Sequence, residues 1–179
     1  MPVPARIEWA VQLLELGPTD RALEIGCGPG VAAALVAGRL TGGCLVAIDR
    51  SATAIARAAT RNAGHVASGR LVLEQVSLAD FRTEQRFDKA FGVNVNVFWT
   101  TDGAAECATL RDVLVPGGAV HLVYGGPGDG RPDAVARVVD NLGRHGFDPV
   151  VRRGPEPGLV SVSASLPADR PASYSAGSW

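Results

Sequence analysis

The residues with the clearest chemical potential are three glycines and two acids near the start of the chain. Glu24 is followed by Gly26, Gly28 and Gly30, and Asp49 ends the next apolar run. A strand that turns sharply into a helix needs glycine where φ is positive and where a ligand approaches the backbone. The free N–H groups at the helix start suit a polar ligand group, and an acid beside the turn can accept hydrogen bonds from two ribose hydroxyls. This spacing predicts a site for a nucleoside-type cofactor.

Three motifs in sequence order resemble those of one enzyme family. Residues 24–30 read Glu-x-Gly-x-Gly-x-Gly, whereas the dinucleotide fingerprint would need its third glycine at Val31. Residues 24–30 resemble motif I of the class I S-adenosylmethionine (SAM) methyltransferases. Residues 49–51, Asp-Arg-Ser, resemble that family's acid after strand 2. Residues 114–118, Leu-Val-Pro-Gly-Gly, resemble its turn before strand 5.

The resemblance implies that the chain binds SAM and releases S-adenosylhomocysteine (SAH). It implies that Asp49 binds the ribose hydroxyls, and that Glu24 acts indirectly, on the glycine turn or on the amino group of the methionine moiety. Family members often carry an acid after strand 3 for the adenine amino group, and Ser77 stands at that position here, with Asp80 as the fallback. The expected cofactor contacts are Glu24, Gly26, Cys27, Gly28, Gly30, Asp49, Arg50, Ser77, Leu78 and Asn94.

Residues 94–99 follow the fourth predicted strand, where the resemblance places the transferable methyl group. Family members that methylate amides or exocyclic amines carry Asn/Asp-Pro-Pro-aromatic here, and both prolines are missing from this chain. We expect Asn94 and Asn96 to lie on one side of an extended segment. Asn96, Trp99 and Tyr124 are the tentative acceptor contacts, although Trp99 could equally fill a gap beneath the next helix. No residue stands out as a catalytic base, so the catalytic residues stay unknown and positioning is the expected source of catalysis.

The elements that must position these residues alternate between strand and helix. This alternation predicts an α/β fold: a doubly wound, mostly parallel seven-stranded sheet with helices on both faces and an antiparallel last strand. Ligands in such a fold bind where the strand order reverses, here between strands 1 and 4. The predicted strands are residues 21–25, 44–48, 71–73, 89–93, 119–124, 149–152 and 160–164. The alternating Val and Ser residues of the last strand suit an antiparallel strand at the edge side of the sheet. The predicted helices are residues 4–16, 31–39, 52–62, 102–114 and 133–145, and Gly64 is expected to end the third of them.

Length and composition predict one domain and restrict the class of partner. The chain has 179 residues, is 46% apolar and carries a net charge of −1, which predicts one SAM-binding domain over residues 1–166 and a disordered tail over 167–179. Without a basic stripe, no nucleic-acid partner is expected. No apolar run approaches the length of a membrane span, so no membrane partner is expected. Three cysteines and three histidines without ligand spacing predict no metal site and reduced thiols in a cytoplasmic protein.

The leading hypothesis is a SAM-dependent methyltransferase that acts on a small-molecule acceptor, mainly by positioning. One alternative is a non-catalytic SAM- or SAH-binding module, or partner subunit, of the same fold. A second is an NAD(P)-dependent oxidoreductase, which Val31 and the Pro-Gly-Gly turn disfavour. The acceptor and its reacting atom (O, N, C or S) stay unidentified. Because the loops are short, the opening helix, residues 125–132 or a second subunit could complete the site, and a homodimer is one expected form.

Overall fold

The protein was analysed as a computed structural model, which describes residues 2–125 and 132–168. The strands are β1 (Arg21–Ile25), β2 (Cys44–Asp49), β3 (Leu71–Gln75), β4 (Phe87–Val93), β5 (Leu114–Tyr124), β6 (Asp148–Arg153) and β7 (Val160–Ser165). The helices are α1 (Ala5–Leu13), α2 (Val31–Arg39), α3 (Ala52–Arg61), α4 (Ala63–Ala67), α5 (Val97–Thr100), α6 (Ala104–Val113) and α7 (Pro132–Arg144). Most of the turn expected at residues 125–130, and all but the first two residues of the expected tail, lie outside the described ranges. The domain boundary at residue 166 therefore stays a prediction.

The strands form one sheet in the order β3-β2-β1-β4-β5-β7-β6. Strands β1 to β5 pair in parallel, and β7 pairs antiparallel to both β5 and β6. The order reverses between β1 and β4, and this confirms the predicted doubly wound fold with an antiparallel last strand. A crevice at the carboxyl ends of β1 and β4 is where such sheets bind ligands.

The sheet separates the core into two layers. Leu23 and Ile25 of β1 face a cluster that includes Leu110 of α6 and Leu142 of α7. The intervening residue Ala22 belongs to the other cluster, with apolar side chains of α1, α2 and α3. This alternation follows the two-residue period of a strand, so both faces of the central strands are covered.

Four local predictions differ from the structure. The first helix ends at Leu13 because the chain leaves the helical conformation at Glu15, whose φ is +46°. The helix after β2 ends at Arg61 and a further short helix contains Gly64, the residue expected to end it. Residues 114–118, expected as a turn, form the irregular first part of β5, where the pairing register with β4 shifts. The last strand, β7, lies inside the sheet, and β6 is the edge.

Candidate functional site

The turn between β1 and α2 contains the three predicted glycines in a left-handed conformation. The φ angles of Gly26, Gly28 and Gly30 are +65°, +51° and +73°, a region that residues with a Cβ atom rarely enter. Gly30 also lacks room for a side chain, because a Cβ atom would lie 2.5 Å from Asn62 Nδ2. Nothing lies within 4 Å of the position of a Cβ atom on Gly28, so the space beside this residue is open.

Asn62 supports this turn from the end of α3, and sequence reasoning missed it. Its buried Nδ2 donates to the carbonyl of Gly30 at 3.0 Å and to that of Ala58 at 2.9 Å. The neighbouring Arg61 Nε donates to the carbonyl of Pro29 at 3.0 Å. The end of α3 therefore fixes two successive carbonyls of the glycine turn. Asn62 and Gly30 are 32 positions apart in the sequence, a separation beyond any local spacing rule, so no sequence pattern indicated this contact.

Asp49 ends β2 beside the glycine turn, as predicted from its position. Its Oδ2 accepts a hydrogen bond from Gly28 N at 2.9 Å, and its Oδ1 accepts one from Ser51 N at 2.8 Å. A carboxylate oxygen can accept two hydrogen bonds, so each oxygen keeps capacity for a ligand hydroxyl. The cap of α3 is Ser51, whose Oγ accepts from Ala54 N at 3.2 Å. Asp49 is therefore not the side chain that caps α3.

Glu24 lies beneath the same turn with only 4% of its surface exposed. Its strand neighbours are Ala47 of β2 and Phe91 of β4. Burial in these apolar surroundings, with a smaller contribution from the Asp49 carboxylate, raises the pKa of Glu24 to about 8. Within the described residues, its buried Oε2 has no hydrogen-bond partner. Burial also raises the pKa of the Cys27 thiol to about 12, so Cys27 is a protonated packing residue rather than a nucleophile.

The expected adenine end is formed by the turn after β3. Ser77 Oγ donates to Asp80 Oδ2 at 2.6 Å and accepts from Asp80 N at 3.3 Å. These bonds cap a 3-10 turn over Leu78–Asp80, so the Ser77 hydroxyl and the fallback acid Asp80 are joined to each other. Leu78 is buried at the start of this turn, and Arg50 is exposed after β2. The assignment of Ser77, Leu78 and Arg50 to a cofactor stays a prediction.

The prediction that Asn94 and Asn96 share one side of an extended segment is wrong. Asn94 is left-handed, with φ of +56°, and Asn96 is right-handed helical at the start of α5. Asparagine tolerates the left-handed region better than most residues because its short side chain can bond locally to the backbone. The short helix α5 was not predicted, and it turns the chain away directly after β4.

Asn94 connects the end of β4 to the end of β5. Its Nδ2 donates to the carbonyl of Gly125 at 3.0 Å, and its Oδ1 accepts from Gly125 N at 3.1 Å. Its own N–H donates to the carbonyl of Val123 at 2.8 Å. Tyr124 Oη adds a hydrogen bond to the carbonyl of Val95 at 3.1 Å. We call these four hydrogen bonds the β4–β5 clamp.

The clamp holds Val95 against the glycine turn. Val95 Cγ2 lies 3.3 Å from the position of a Cβ atom on Gly26 and 2.7 Å from that on Gly92. Gly92 must therefore lack a side chain if Val95 is to pack there. Through Val95, the position of the glycine turn depends on the clamp, so we interpret Asn94 as a residue that positions the site.

We expect replacement of Asn94 by alanine to destabilise the protein by about 2–5 kcal/mol. The change places a Cβ residue in the left-handed region, which costs about 1–2 kcal/mol, and leaves the buried Gly125 N–H without this acceptor, which costs about 1–3 kcal/mol. Urea unfolding measures the loss. Asn94→Gly is the matched variant, because it permits positive φ but lacks the amide. Equal stability of Asn94→Gly and the wild type would contradict the role of the amide.

The tentative acceptor contacts fall in three different environments. Asn96 is exposed, and Trp99 is half-buried at the edge of the core, where it lines an open pocket of about 500 Å³ with side chains of α7. Tyr124 is 3% exposed with its hydroxyl bonded to Val95, and burial raises its pKa well above the usual range. This geometry does not support a contact between Tyr124 and an acceptor. Sequence reasoning missed Trp9 of α1, which packs beside Val93 and Val123 at the ends of β4 and β5.

The described residues lack the side-chain clusters of a metal site and the helices of a membrane span. They contain no group of three or more His, Cys, Asp or Glu side chains that could hold a metal ion. None of the helices in the described ranges is both long and apolar enough to cross a membrane.

His121 is a packed histidine in β5, and its Nδ1 lies 2.9 Å from Ser163 Oγ. Burial and the charges of Lys89 and Arg152 lower the pKa of His121 to about 4.

The glycine turn fits a nucleoside cofactor with a cationic group. Gly28 leaves space beside the turn, Asp49 keeps acceptor capacity, and Glu24 has a buried oxygen without a partner in the described part of the chain. A ligand cation near Glu24 would favour the charged carboxylate that burial otherwise disfavours. The residues present therefore suit a ligand that combines ribose hydroxyls with positive charge.

Solved structures of known methyltransferases have a similar fold. The N-methyltransferase NodS from Bradyrhizobium japonicum is 20% identical, with a TM-score of 0.71 over 90% of this chain and 94% of that chain. The 1,6-didemethyltoxoflavin-N1-methyltransferase from Burkholderia thailandensis is 20% identical, with a TM-score of 0.71 over 91% of this chain and 79% of that chain. A SAM-dependent O-methyltransferase from Thermotoga maritima is 15% identical, with a TM-score of 0.72 over 96% of this chain and 68% of that chain. At these identities the similarity shows the fold.

The sequence comparison identifies the family. No curated protein sequence is significantly similar to this chain. A family profile described as a methyltransferase domain matches residues 22–118, which is more than half of the 179 residues. The matched range includes the glycine turn, Asp49 and the segment after β4. This chain belongs to the methyltransferase-domain family and has its Rossmann-like fold.

Proposed function

We propose that this protein transfers a methyl group from SAM to a small-molecule acceptor. The observation that carries the proposal is the pair of acids at the glycine turn. Asp49 Oδ2 lies 2.9 Å from Gly28 N, beside open space, and the buried Glu24 lies beneath the turn. Hydride transfer from a dinucleotide has less support, because Val31 stands where its fingerprint needs a third glycine.

Each residue of the site would contribute to binding or alignment. When bound, SAM supplies an electrophilic methyl group on a cationic sulfur. Asp49 would accept hydrogen bonds from the ribose hydroxyls, and Gly26 and Gly28 would let the ligand approach the backbone. The ionised Glu24 would stabilise positive charge above it. Asn94, through the clamp, would keep Val95 and the turn at a fixed separation.

Catalysis would rest on positioning. Displacement at a sulfonium methyl group is an in-line reaction, which needs alignment of the nucleophile and needs a general base only where the nucleophile has a high pKa. Among the described residues, the ends of β4 and β5 do not offer a base: Tyr124 is buried, with its hydroxyl bonded to Val95. His121 lies in the interior of β5, and burial lowers its pKa to about 4. The proposal therefore favours acceptors that are nucleophilic without deprotonation by the protein.

Two further observations favour a small acceptor. The loops after β1, β2 and β3 are short, so the described chain has no large added segment for a macromolecule. One structural neighbour was crystallised with 1,6-didemethyltoxoflavin and SAH, and its chain is covered to 79% by this fold. The even charge balance and the three free cysteines support a cytoplasmic protein without a nucleic-acid partner.

Thermal unfolding with SAM, SAH and NADH tests the cofactor, and an acceptor screen tests the transfer. A ligand at about 100 times its Kd should stabilise the protein by roughly 2.7 kcal/mol, and we expect this shift with SAM and SAH. Incubation with SAM and pooled small molecules should then yield a methylated product in mass spectra, together with SAH. Stabilisation by NADH alone would refute the proposal. Binding of SAM without any methylated product would favour the non-catalytic module.

A further inference from the structure

The edge strand β6 carries two exposed valines. Val150 and Val151 are 53% and 47% exposed, the highest values among the large apolar side chains of the described residues. Successive side chains of a strand point to opposite faces, so each face of β6 carries one valine that is about half exposed. Among the described residues, the strand pairs only with β7 and ends the sheet. Its outer N–H and C=O groups can therefore pair with a further strand.

A second copy of this chain could pair with β6 only in certain registers. Two edges related by a two-fold axis run antiparallel, with the axis perpendicular to the sheet, so every side chain stays on its own face. Because the faces alternate, a residue can oppose only itself or a residue an even number of positions away. For the sequence Asp-Pro-Val-Val-Arg-Arg of β6, each allowed register is therefore centred on one residue of the strand.

The register centred on Val150 matches charge and apolar surface together. It places Val150 opposite Val150 of the second copy, and Asp148 opposite Arg152 of the second copy, twice by symmetry. The register centred on Val151 instead places Pro149 opposite Arg153. The register centred on Arg152 places two guanidinium groups opposite each other. Opposite charges across strands stabilise pairing and like charges destabilise it.

We propose that β6 is a self-association edge through which two copies form an antiparallel dimer centred on Val150. The proposal is independent of the proposed methyl transfer, because β6 is separated from β1 and β4 by β5 and β7. Pro149 lacks an N–H donor, and the charged ends of β6 restrict pairing with other edges. These features favour one specific register over general edge-to-edge aggregation.

Sedimentation velocity of the full chain over a concentration series tests the dimer. We expect a reversible monomer–dimer equilibrium that weakens at high salt, since the Asp148–Arg152 pairs are exposed to solvent. Val150→Lys should abolish association, because two ammonium groups would meet on the axis. Val72→Lys is the matched control: Val72 is 42% exposed on the opposite edge strand, β3, and its substitution should leave the dimer unchanged.

Charge reversal tests the register. D148R or R152D alone should raise the dimer Kd by at least roughly tenfold, because each converts two attractive pairs into two repulsive ones. The double variant D148R/R152D exchanges the charges and should restore association. SAH binding of each variant confirms that it is folded and should not change. Thermal unfolding is compared at a concentration where the wild type is monomeric, because association itself stabilises the folded state, and there it should not change either.

Three results would overturn the proposal. The first is a wild-type protein that stays monomeric at the highest soluble concentration. The second is association that persists in Val150→Lys, or that Val72→Lys removes instead. The third is a double variant as weak as the single reversals, which would show that Asp148 and Arg152 do not face each other. Since SAH binding is measured on the same samples, failure of the dimer and failure of the cofactor proposal are distinguished.

Discussion

Replacement of Asp49 by alanine should weaken SAH binding at least roughly 100-fold. The carboxylate would accept hydrogen bonds from two ribose hydroxyls, and hydrogen bonds to charged groups contribute about 1.5–3 kcal/mol each. The substitution also removes the acceptor of Gly28 N and Ser51 N, which loosens the glycine turn itself. Isothermal titration with SAH measures the loss. We expect Asp49→Asn to lie between alanine and the wild type, because its single oxygen can still accept.

Ser51→Ala separates the binding role of Asp49 from local stability. Ser51 Oγ caps α3 through Ala54 N, and loss of such a cap costs about 1 kcal/mol. This variant should therefore melt at a lower temperature yet bind SAH within a few-fold of the wild type. If Asp49→Ala bound SAH as tightly as the wild type, the ribose site would lie elsewhere and the proposed arrangement of the cofactor would be wrong.

The stability of the ligand-free protein should fall between pH 6.5 and pH 8, and Glu24→Gln should remove this fall. The pKa of Glu24 is raised from 4.5 to about 8 in the folded state, so the folded protein keeps a proton that the unfolded chain releases. The stability contribution is complete below pH 4.5 and is lost as the pH rises to about 8. One pKa unit corresponds to about 1.4 kcal/mol, so the total effect is several kcal/mol.

The range from pH 6.5 to pH 8 excludes the titration of other groups from the measured change in stability. His121 has the opposite sign: its pKa is lowered from 6.5 to about 4, so its contribution is present above pH 6.5 and is lost as the pH falls through that range. Urea unfolding at pH 6.5 and pH 8 isolates Glu24. Glu74→Gln, a substitution of an exposed acid on β3, is the matched control and should keep the wild-type slope.

Cofactor binding should also depend on the protonation of Glu24. A cationic ligand favours the ionised Glu24, so SAM binding below pH 8 should release a proton and tighten as the pH rises. Titrations in buffers of different ionisation enthalpy detect this release, and Glu24→Gln should abolish it. A wild-type affinity that does not change with pH would mean that Glu24 lies too far from the ligand charge to affect binding.

The sequence predicted what depends on local spacing. The glycine turn, Asp49 at the end of β2 and the alternation of strands and helices follow from periodicity, turn residues and the rules for parallel sheets. The contacts that hold the turn did not follow. Asn62 reaches Gly30 across 32 residues, and Asn94 reaches Gly125 across 31. Such partners are chosen by packing in three dimensions, and a single sequence contains no spacing that marks them.

The wrong predictions fall at residue types that can adopt more than one backbone conformation. Gly64 was expected to end a helix, yet it stays within α4, because glycine accepts right-handed helical angles as well as left-handed ones. Asn94 was assigned to an extended segment, but its amide stabilises a left-handed turn. The tentative acceptor contact of Tyr124 stays a prediction, and its hydroxyl is bonded to the carbonyl of Val95.

The insertion of β7 between β5 and β6 has a consequence for synthesis of the chain on the ribosome. The outer edge of β5 is complete at Tyr124, but its partner begins only at Val160. Until then β5 presents an apolar, unpaired edge, and β6 has no strand to join. Nascent chains that stall in this interval would expose a surface for chaperones or for aggregation. The last described strand, β7, thus completes the sheet and ends the period in which the nascent chain is most prone to aggregation.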